Sequence, residues 1–407
     1  MPEIDPQRLI GDLRRLAEFG RHGTGVHRLS LSAEDVAARR WLRDRMAAAG
    51  LDARIDGVGN VFGRSRAPGP VLLMGSHTDT QPKGGWLDGA MGVIYGLEVA
   101  RALAADPACR DIGVDVASWI DEEGHFPIGF LGSRAFAGEL DPADVAGAKG
   151  RDGVALADAL RTAGLDGAPV IRLEPGRYTG YLEAHVEQGG TLERDQKRIG
   201  VVTAIVGIRG GVAVFTGEQN HAGTTPMLLR KDAGVALFEF ASKLGGAFKD
   251  VAGPDTVWTF GKALLEPGSP SVIPGHAELT LQYRDPDTQR LDALEAALTA
   301  LLAETNAAGP CRVAMTQPRR TEPAPMDAGF QDLIARAGER RAPGLVKRLH
   351  SAAGHDAMVL SRHMRSAMLF VPSIRGISHD VAEDTSEADL VLGCQVAADA
   401  AAAILRA

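Results

Sequence analysis

Histidines and acids stand in this chain in short runs that follow apolar segments or glycines. His77-Thr-Asp79 comes one residue after Pro70-Val-Leu-Leu-Met-Gly75, and Asp88 lies in Gly84-Gly-Trp-Leu-Asp88-Gly. Asp121-Glu122-Glu123 follows Val114-Asp-Val-Ala-Ser-Trp-Ile, and Glu183, His185 and Glu187 alternate through Tyr181-Leu-Glu-Ala-His-Val-Glu-Gln188-Gly. His379 stands in Gly376-Ile-Ser-His-Asp, after the apolar run Ala367-Met-Leu-Phe-Val-Pro. His77, Asp88, Glu123, His185 and His379 form a mixed imidazole and carboxylate set, which suits Zn²⁺, Mn²⁺ or another first-row divalent ion. An acid two residues after a ligand histidine can orient its ring. Three consecutive acids at the end of a buried strand repel one another unless a cation offsets them. A carboxylate shared by two ions about 3.5–4 Å apart is the recurring plan of hydrolytic two-metal sites.

Taken singly, each run has a plain alternative. Ser76 and Asp79 can cap a turn, Asp88-Gly can be a solvated turn, the three acids a surface loop, and residues 183–187 an edge strand. The alternatives weaken together, because every candidate follows an apolar strand or a glycine-rich turn.

Those runs need elements to hold them. Leu9, Leu13, Leu16 and Phe19 recur at helical spacing. A second helix opens at Ser32 as N-cap and ends near Gly50. Residues 52–62 alternate as one strand, 70–75 and 114–120 read as buried strands, and 91–105 as an apolar helix. Strands alternating with helices predict an α/β layer around a largely parallel sheet. Between about residues 207 and 305 the pattern changes to alternating strands with helices at 233–244 and 288–305, a small α+β sandwich. Pro318–Pro325 reads as a return linker, and a terminal alanine-rich helix spans 391–407. Ligands in α/β folds sit at the carboxyl ends of the strands, where His77 and the acids fall.

Composition narrows the class. With 45% hydrophobic and 24% charged residues, the 407-residue chain is globular and long enough for two or three domains. A net charge of -8 without a dense Lys/Arg run argues against nucleic acid as a partner, and no apolar stretch is long enough to span a membrane. The three scattered cysteines make no CxxC site, and the N-terminus has no signal-peptide pattern, so a cytoplasmic location is expected.

The runs quoted above, together with Asn220-His221-Ala-Gly-Thr-Thr-Pro-Met and Gly354-His355-Asp356-Ala-Met, resemble the M20 metallopeptidase family in family order along nearly the whole chain. The match is to its amidase, hydantoinase and carbamoylase branch. The resemblance implies an α/β/α catalytic domain built from residues 1–208 and 324–407. It also implies an inserted, smaller α+β lid and dimerisation domain at 209–323, hence a homodimer. It implies two divalent ions per subunit, Zn or Mn with Co or Ni as alternatives. His77, Asp88 and His185 would hold one ion and Asp88, Glu123 and His379 the other, with Asp79 orienting His77 and Glu122 as general base. His221 would stabilise the developing oxyanion, with Gln188, Arg284, Ser271 and Gly376 as further substrate contacts.

The implied reaction is hydrolysis of a linear amide or ureido C–N bond in a small substrate bearing a carboxylate. N-carbamoyl-L-amino acids, allantoate and N-carbamoyl-β-alanine are the expected substrates, an N-acyl-amino-acid deacylase or dipeptidase the alternative, and a non-catalytic binding protein a remoter one. Two departures bear on the substrate. Ser271 stands where the family commonly has Asn, and Gly124-His125-Phe126 is shorter by one residue than the family's segment after the paired glutamates. Gly207-Ile-Arg-Gly-Gly is also unusually rich in glycine.

Overall fold

In the computed structural model, residues 1–407 are described, Pro142 by its backbone alone. The protein is of mixed α/β class, and its chain forms two compact units, Met1–Thr203 with Pro325–Ala407, and Ala204–Ala324.

In the first unit, four strands lie parallel and adjacent at the centre of a mixed sheet, in the order Ser366–Val371, Tyr178–Val186, Val71–His77 and Gly113–Trp119. Antiparallel strands flank them: Ile199–Ile205 on one side, and the pair Val61–Arg64 and Asp52–Ile55 on the other. Every residue of the Val71–His77 and Gly113–Trp119 strands is buried, as apolar runs covered on both faces must be. The helices Pro6–Ala17, Ala90–Ala105 and Glu387–Ile404 contribute Leu9, Leu13, Ile94, Leu97, Leu390 and Val396 to a core shared with Leu72, Met74, Val114 and Val116. Ser32 caps the helix Ala33–Ala48 by accepting from the Asp35 N–H, and Gly50 follows its end at φ +87°.

The strand expected over 52–62 is a hairpin instead. Asp56 Oδ1 accepts the N–H groups of Val58, Gly59 and Asn60, so a side chain closes a turn where alternation alone suggests continued extension.

The second unit is a four-stranded antiparallel sheet, ordered Val257–Glu266, His276–Asp285, Gly207–Thr216 and Arg312–Thr321. Helices Ala233–Val251 and Thr288–Ala308 cover one face, where Ala277, Leu279, Leu281 and Tyr283 meet Leu237, Phe240, Leu291 and Leu294. The expected linker at Pro318 is part of the edge strand Arg312–Thr321. Its pairing with Gly207–Thr216 shifts register between Thr316 and Arg319, which is how an edge strand accommodates proline. The glycine-rich stretch now has an explanation: a Cβ on Gly210 would lie 2.2 Å from the Leu281 carbonyl oxygen, and one on Gly211 2.8 Å from that of Thr316. Among the described residues no helix is long and apolar enough to cross a membrane, and the three cysteines are free and buried.

Candidate metal centre

Sheet order decides which residues meet. Because the four central strands run parallel, their carboxyl ends share one edge of the sheet. His77 closes one strand, the acids at 121–123 follow the next, His185 lies near the end of the third, and the segment after Val371 leads to His379. Asp88 joins them from the loop before the helix Ala90–Ala105. That loop needs Gly89: it stands at φ +63°, and a Cβ there would lie 2.4 Å from the His77 ring.

Asp88 sits between two donor groups, His77–Asp88–His185 and Asp88–Glu123–His379, each with its ligand atoms within 4.8 Å of one another. Its Oδ1 is 3.2 Å from His185 Nε2 and 3.7 Å from His77 Nε2, while Oδ2 is 3.2 Å from His379 Nε2. The other oxygen near His379 Nε2 is Glu123 Oε2, at 3.7 Å. One carboxylate thus turns one oxygen to each group.

The donor set fits a cation. His77 Nδ1 and His185 Nδ1 each lie 2.9 Å from a main-chain oxygen, that of Asp79 and of Val186. A ring that donates through Nδ1 leaves a lone pair on Nε2. At His185 that nitrogen accepts the Gly89 N–H at 3.1 Å, while at His77 it faces carboxylate oxygens, and a buried lone pair so placed needs positive charge between. The titration pattern carries the same demand. Burial first, then Glu123, Asp356 and Asp88, push Glu122 well above the usual carboxylate range. Burial and Asp88 push Glu123 up to about 8. Burial opposes a charge on His185, yet its hydrogen bond to Asp88 raises it to about 9.

The three consecutive acids point three ways. Asp121, at φ +59°, accepts the Phe126 N–H and shapes the loop. Glu122 places Oε2 3.7 Å from His77 Nε2. Glu123 is held by Gln81, whose Nε2 donates to Oε2 at 2.7 Å and whose N–H donates to Oε1 at 3.2 Å. Asp79 touches His77 through its main chain; its carboxylate Oδ1 is 3.9 Å from the ring, and Oδ2 accepts the Glu123 N–H at 3.2 Å. Asp79 therefore ties the histidine strand to the acidic loop, with the fully buried Arg39 3.8 Å from its Oδ1.

Gln188 also reaches the site, its Nε2 donating to Asp88 Oδ2 at 3.1 Å. Gly376, at φ +64°, packs on Gly189–Gly190, where a Cβ would lie 2.7 Å from the Gly190 nitrogen. Three further residues escaped sequence reasoning in these roles: Gln81, Arg39 and Glu383, whose Oε1 accepts the Asp88 N–H at 2.9 Å. The signal for Glu383 was present, an acid four residues after His379. His355 packs edge-on against the His185 ring, centroids 4.5 Å apart, and donates to or accepts from Ser351 Oγ at 2.8 Å. Glu187 follows the end of the strand at Val186 and accepts the N–H groups of Thr191 and Leu192.

His221, Ser271 and Arg284 belong to the second unit. His221 pairs with Val272, and the Ala222 N–H donates to the Ser271 main-chain oxygen at 3.0 Å. Gly223 and Thr224 donate to His221 Nδ1 at 3.0 and 3.1 Å, which leaves the proton on its exposed Nε2. Arg284 lies on the helix-free face of the sheet beside Gln282, whose Oε1 accepts from it at 3.3 Å.

Residues 73–403 match the model of peptidase family M20/M25/M40. The chain is 34% identical over 403 residues to an N-carbamoyl-L-amino acid amidohydrolase of Geobacillus stearothermophilus, covering 97% of each. It is 35% identical over 399 residues to the allantoate amidohydrolase of Escherichia coli K12, covering 94% of each. Among solved structures, an amidase of the hydantoinase/carbamoylase family from Burkholderia phymatum superposes with a TM-score of 0.94 at 53% identity, covering 100% of this chain and 99% of that one.

Proposed function

The chain belongs to peptidase family M20/M25/M40, and from that membership we propose that it is a binuclear metal-dependent amidohydrolase of linear ureido C–N bonds. N-carbamoyl-L-amino acids are the first expected substrates, with allantoate and N-carbamoyl-β-alanine as related ones. The observation that carries this reading is the single carboxylate, Asp88, turned at once to two His/carboxylate donor groups beside Glu122. His77, Asp88 and His185 would hold one divalent ion, and Asp88, Glu123 and His379 the other. Zn and Mn suit these donors best, with Co and Ni compatible. Bound there, such ions supply Lewis acidity toward a carbonyl oxygen and make water more acidic.

The chain's own residues then divide the work. Glu122 takes the proton of the attacking water and returns it to the departing nitrogen. His221 offers its Nε2–H to the carbonyl oxygen as negative charge develops there. Arg284 grips the substrate carboxylate with two parallel hydrogen bonds, aided by Ser271, Gly376 and the Gln188 amide. Addition of water to the ureido carbon expels ammonia and leaves a carbamic acid, which loses CO₂ to give the free amino acid.

The inserted unit, residues 204–324, serves in this reading as lid and dimerisation surface of a cytoplasmic homodimer. Light scattering of the purified protein tests the dimer. Ammonia and amino-acid release, measured with defined metal on N-carbamoyl, N-formyl, N-acetyl, allantoate and dipeptide substrates, tests the chemistry. Ammonia from ureido substrates alone is the expected result. Turnover confined to acyl or peptide substrates would replace the reading by deacylase or dipeptidase.

A further inference from the structure

Glu383 is only 2% exposed, although it lies on an irregular segment between the last central strand and the final helix. Its Oε1 accepts the N–H groups of Asp88 at 2.9 Å and Leu87 at 3.2 Å, and its Oε2 accepts from Ser378 Oγ at 2.7 Å. One carboxylate therefore grips the backbone of Asp88 and the residue preceding His379. The approach is close enough that a side chain at Gly85 would displace the carboxylate, since a Cβ there would lie 2.0 Å from Glu383 Oε1. That contact gives the second glycine of Gly84-Gly-Trp-Leu-Asp88 a physical reason.

The two segments it joins need external support. His379 stands at φ +57° and Gly89, just after Asp88, at φ +63°. A non-glycine residue in that region persists only where its surroundings fix it. His379 is also half exposed, so packing constrains it less than it does His77 or His185. Asp88 serves both donor groups, and a small shift of its backbone would misplace one oxygen in each.

We propose that Glu383 is a positioning residue, a latch that holds Asp88 and His379 in mutual register and so sets the affinity of the site for its ions. It offers no ligand atom itself. Glutamine can replace it in part: its amide oxygen still accepts the two N–H groups, and its NH₂ can donate to Ser378 Oγ. Alanine removes all three bonds. Ser378→Ala removes one. The proposal rests on Asp88 and His379 being ligands, and its test separates the two ideas.

Full-length protein is stripped of metal and titrated with Mn²⁺ and with Zn²⁺ by calorimetry, with bound metal counted by mass spectrometry. Steady-state kinetics and metal-free melting curves accompany each titration. Loss of a partner behind a ligand weakens metal binding by about 10- to 100-fold, and that is the shift expected for Glu383→Ala, with kcat falling more than KM rises. Glu383→Gln is expected within a few-fold of wild type, and Ser378→Ala between the two. Asp56→Ala, which strips the 56–60 turn of its side-chain acceptor, is the control: it lowers the melting temperature without moving metal affinity. Wild-type affinity in both Glu383→Ala and Ser378→Ala overturns the latch, as does an equal loss in Asp56→Ala. A wild-type protein that takes up no metal overturns the ligand reading, and the latch with it.

Discussion

Replacing Glu122 by glutamine separates base chemistry from metal binding. The side chain is 11% exposed, its Oε2 is 3.7 Å from His77 Nε2, and it belongs to neither donor group around Asp88. Glutamine keeps its volume and its capacity to accept a hydrogen bond but cannot take up a proton. A positioned general base contributes about 10²- to 10⁴-fold to rate. At about 1.36 kcal/mol per decade, that loss corresponds to roughly 3–5 kcal/mol of barrier. The expected outcome in an ammonia-release assay is a kcat lower by that factor, KM within a few-fold, and unchanged metal content by mass spectrometry. The metal-free variant should melt no lower than wild type, because the substitution removes a carboxylate crowded by Glu123, Asp356 and Asp88. Unchanged kcat would refute the base assignment. Loss of metal in step with activity would show that Glu122 is a ligand, and the division of roles among the three acids would be wrong.

Asp88→Ala should remove both equivalents of metal, since its two oxygens serve both groups, whereas His77→Ala should impair chiefly one; equilibrium dialysis with mass spectrometry distinguishes these patterns. Arg284→Lys should raise KM for a carboxylate-bearing substrate about tenfold or more while kcat changes little, because lysine cannot form the paired hydrogen bonds of a guanidinium; a kcat effect alone would argue for another role. Stability should carry an acid-side signature at Asp327, whose carboxyl the Arg365 guanidinium (Nε and Nη2, both 2.9 Å) holds below its ordinary value, helped by the Phe330 N–H it caps. A carboxyl lowered on folding stabilises above its unfolded pKa and loses that contribution as pH falls through the folded value. Asp327→Ala should therefore cost about 1–2 kcal/mol at pH 7, a cap plus a partly exposed pair, and less at pH 3. Urea titrations at both pH values measure the difference, and a cost that grows on acidification would reverse the argument.

Local rules carried much of the fold. Ser32 as N-cap, Gly50 after its helix, the buried strands at 71–77 and 113–119, and the helix near 91–105 follow from patterns a few residues long. Failures came where a side chain or a neighbouring strand overrode the pattern. Asp56 closed a turn inside an apparently continuous strand, and pairing with Gly207–Thr216 kept Pro318 in a sheet. The family resemblance named a ligand set from motif order. Nothing in spacing alone indicates that His379 lies 3.2 Å from Asp88, since 291 residues separate them in the chain.

By itself, then, the sequence determined the class of chemistry: imidazole and carboxylate donors, glycines beside them, and apolar strands to carry them. These are properties of residue type and near-neighbour spacing, which propensity and periodicity express directly. Only the tertiary structure decided convergence and division of labour. Parallel order brought four strand ends to one edge, Asp88 was turned to both donor groups, Asp79 bonded His77 through its main chain, and Glu383 was closed onto Asp88 and Ser378. The contacts of Asp88 with His379 and Glu383 depend on the relative placement of segments nearly three hundred residues apart. Burial and strand pairing in the whole sheet fix that placement, and no local stretch of chain encodes it.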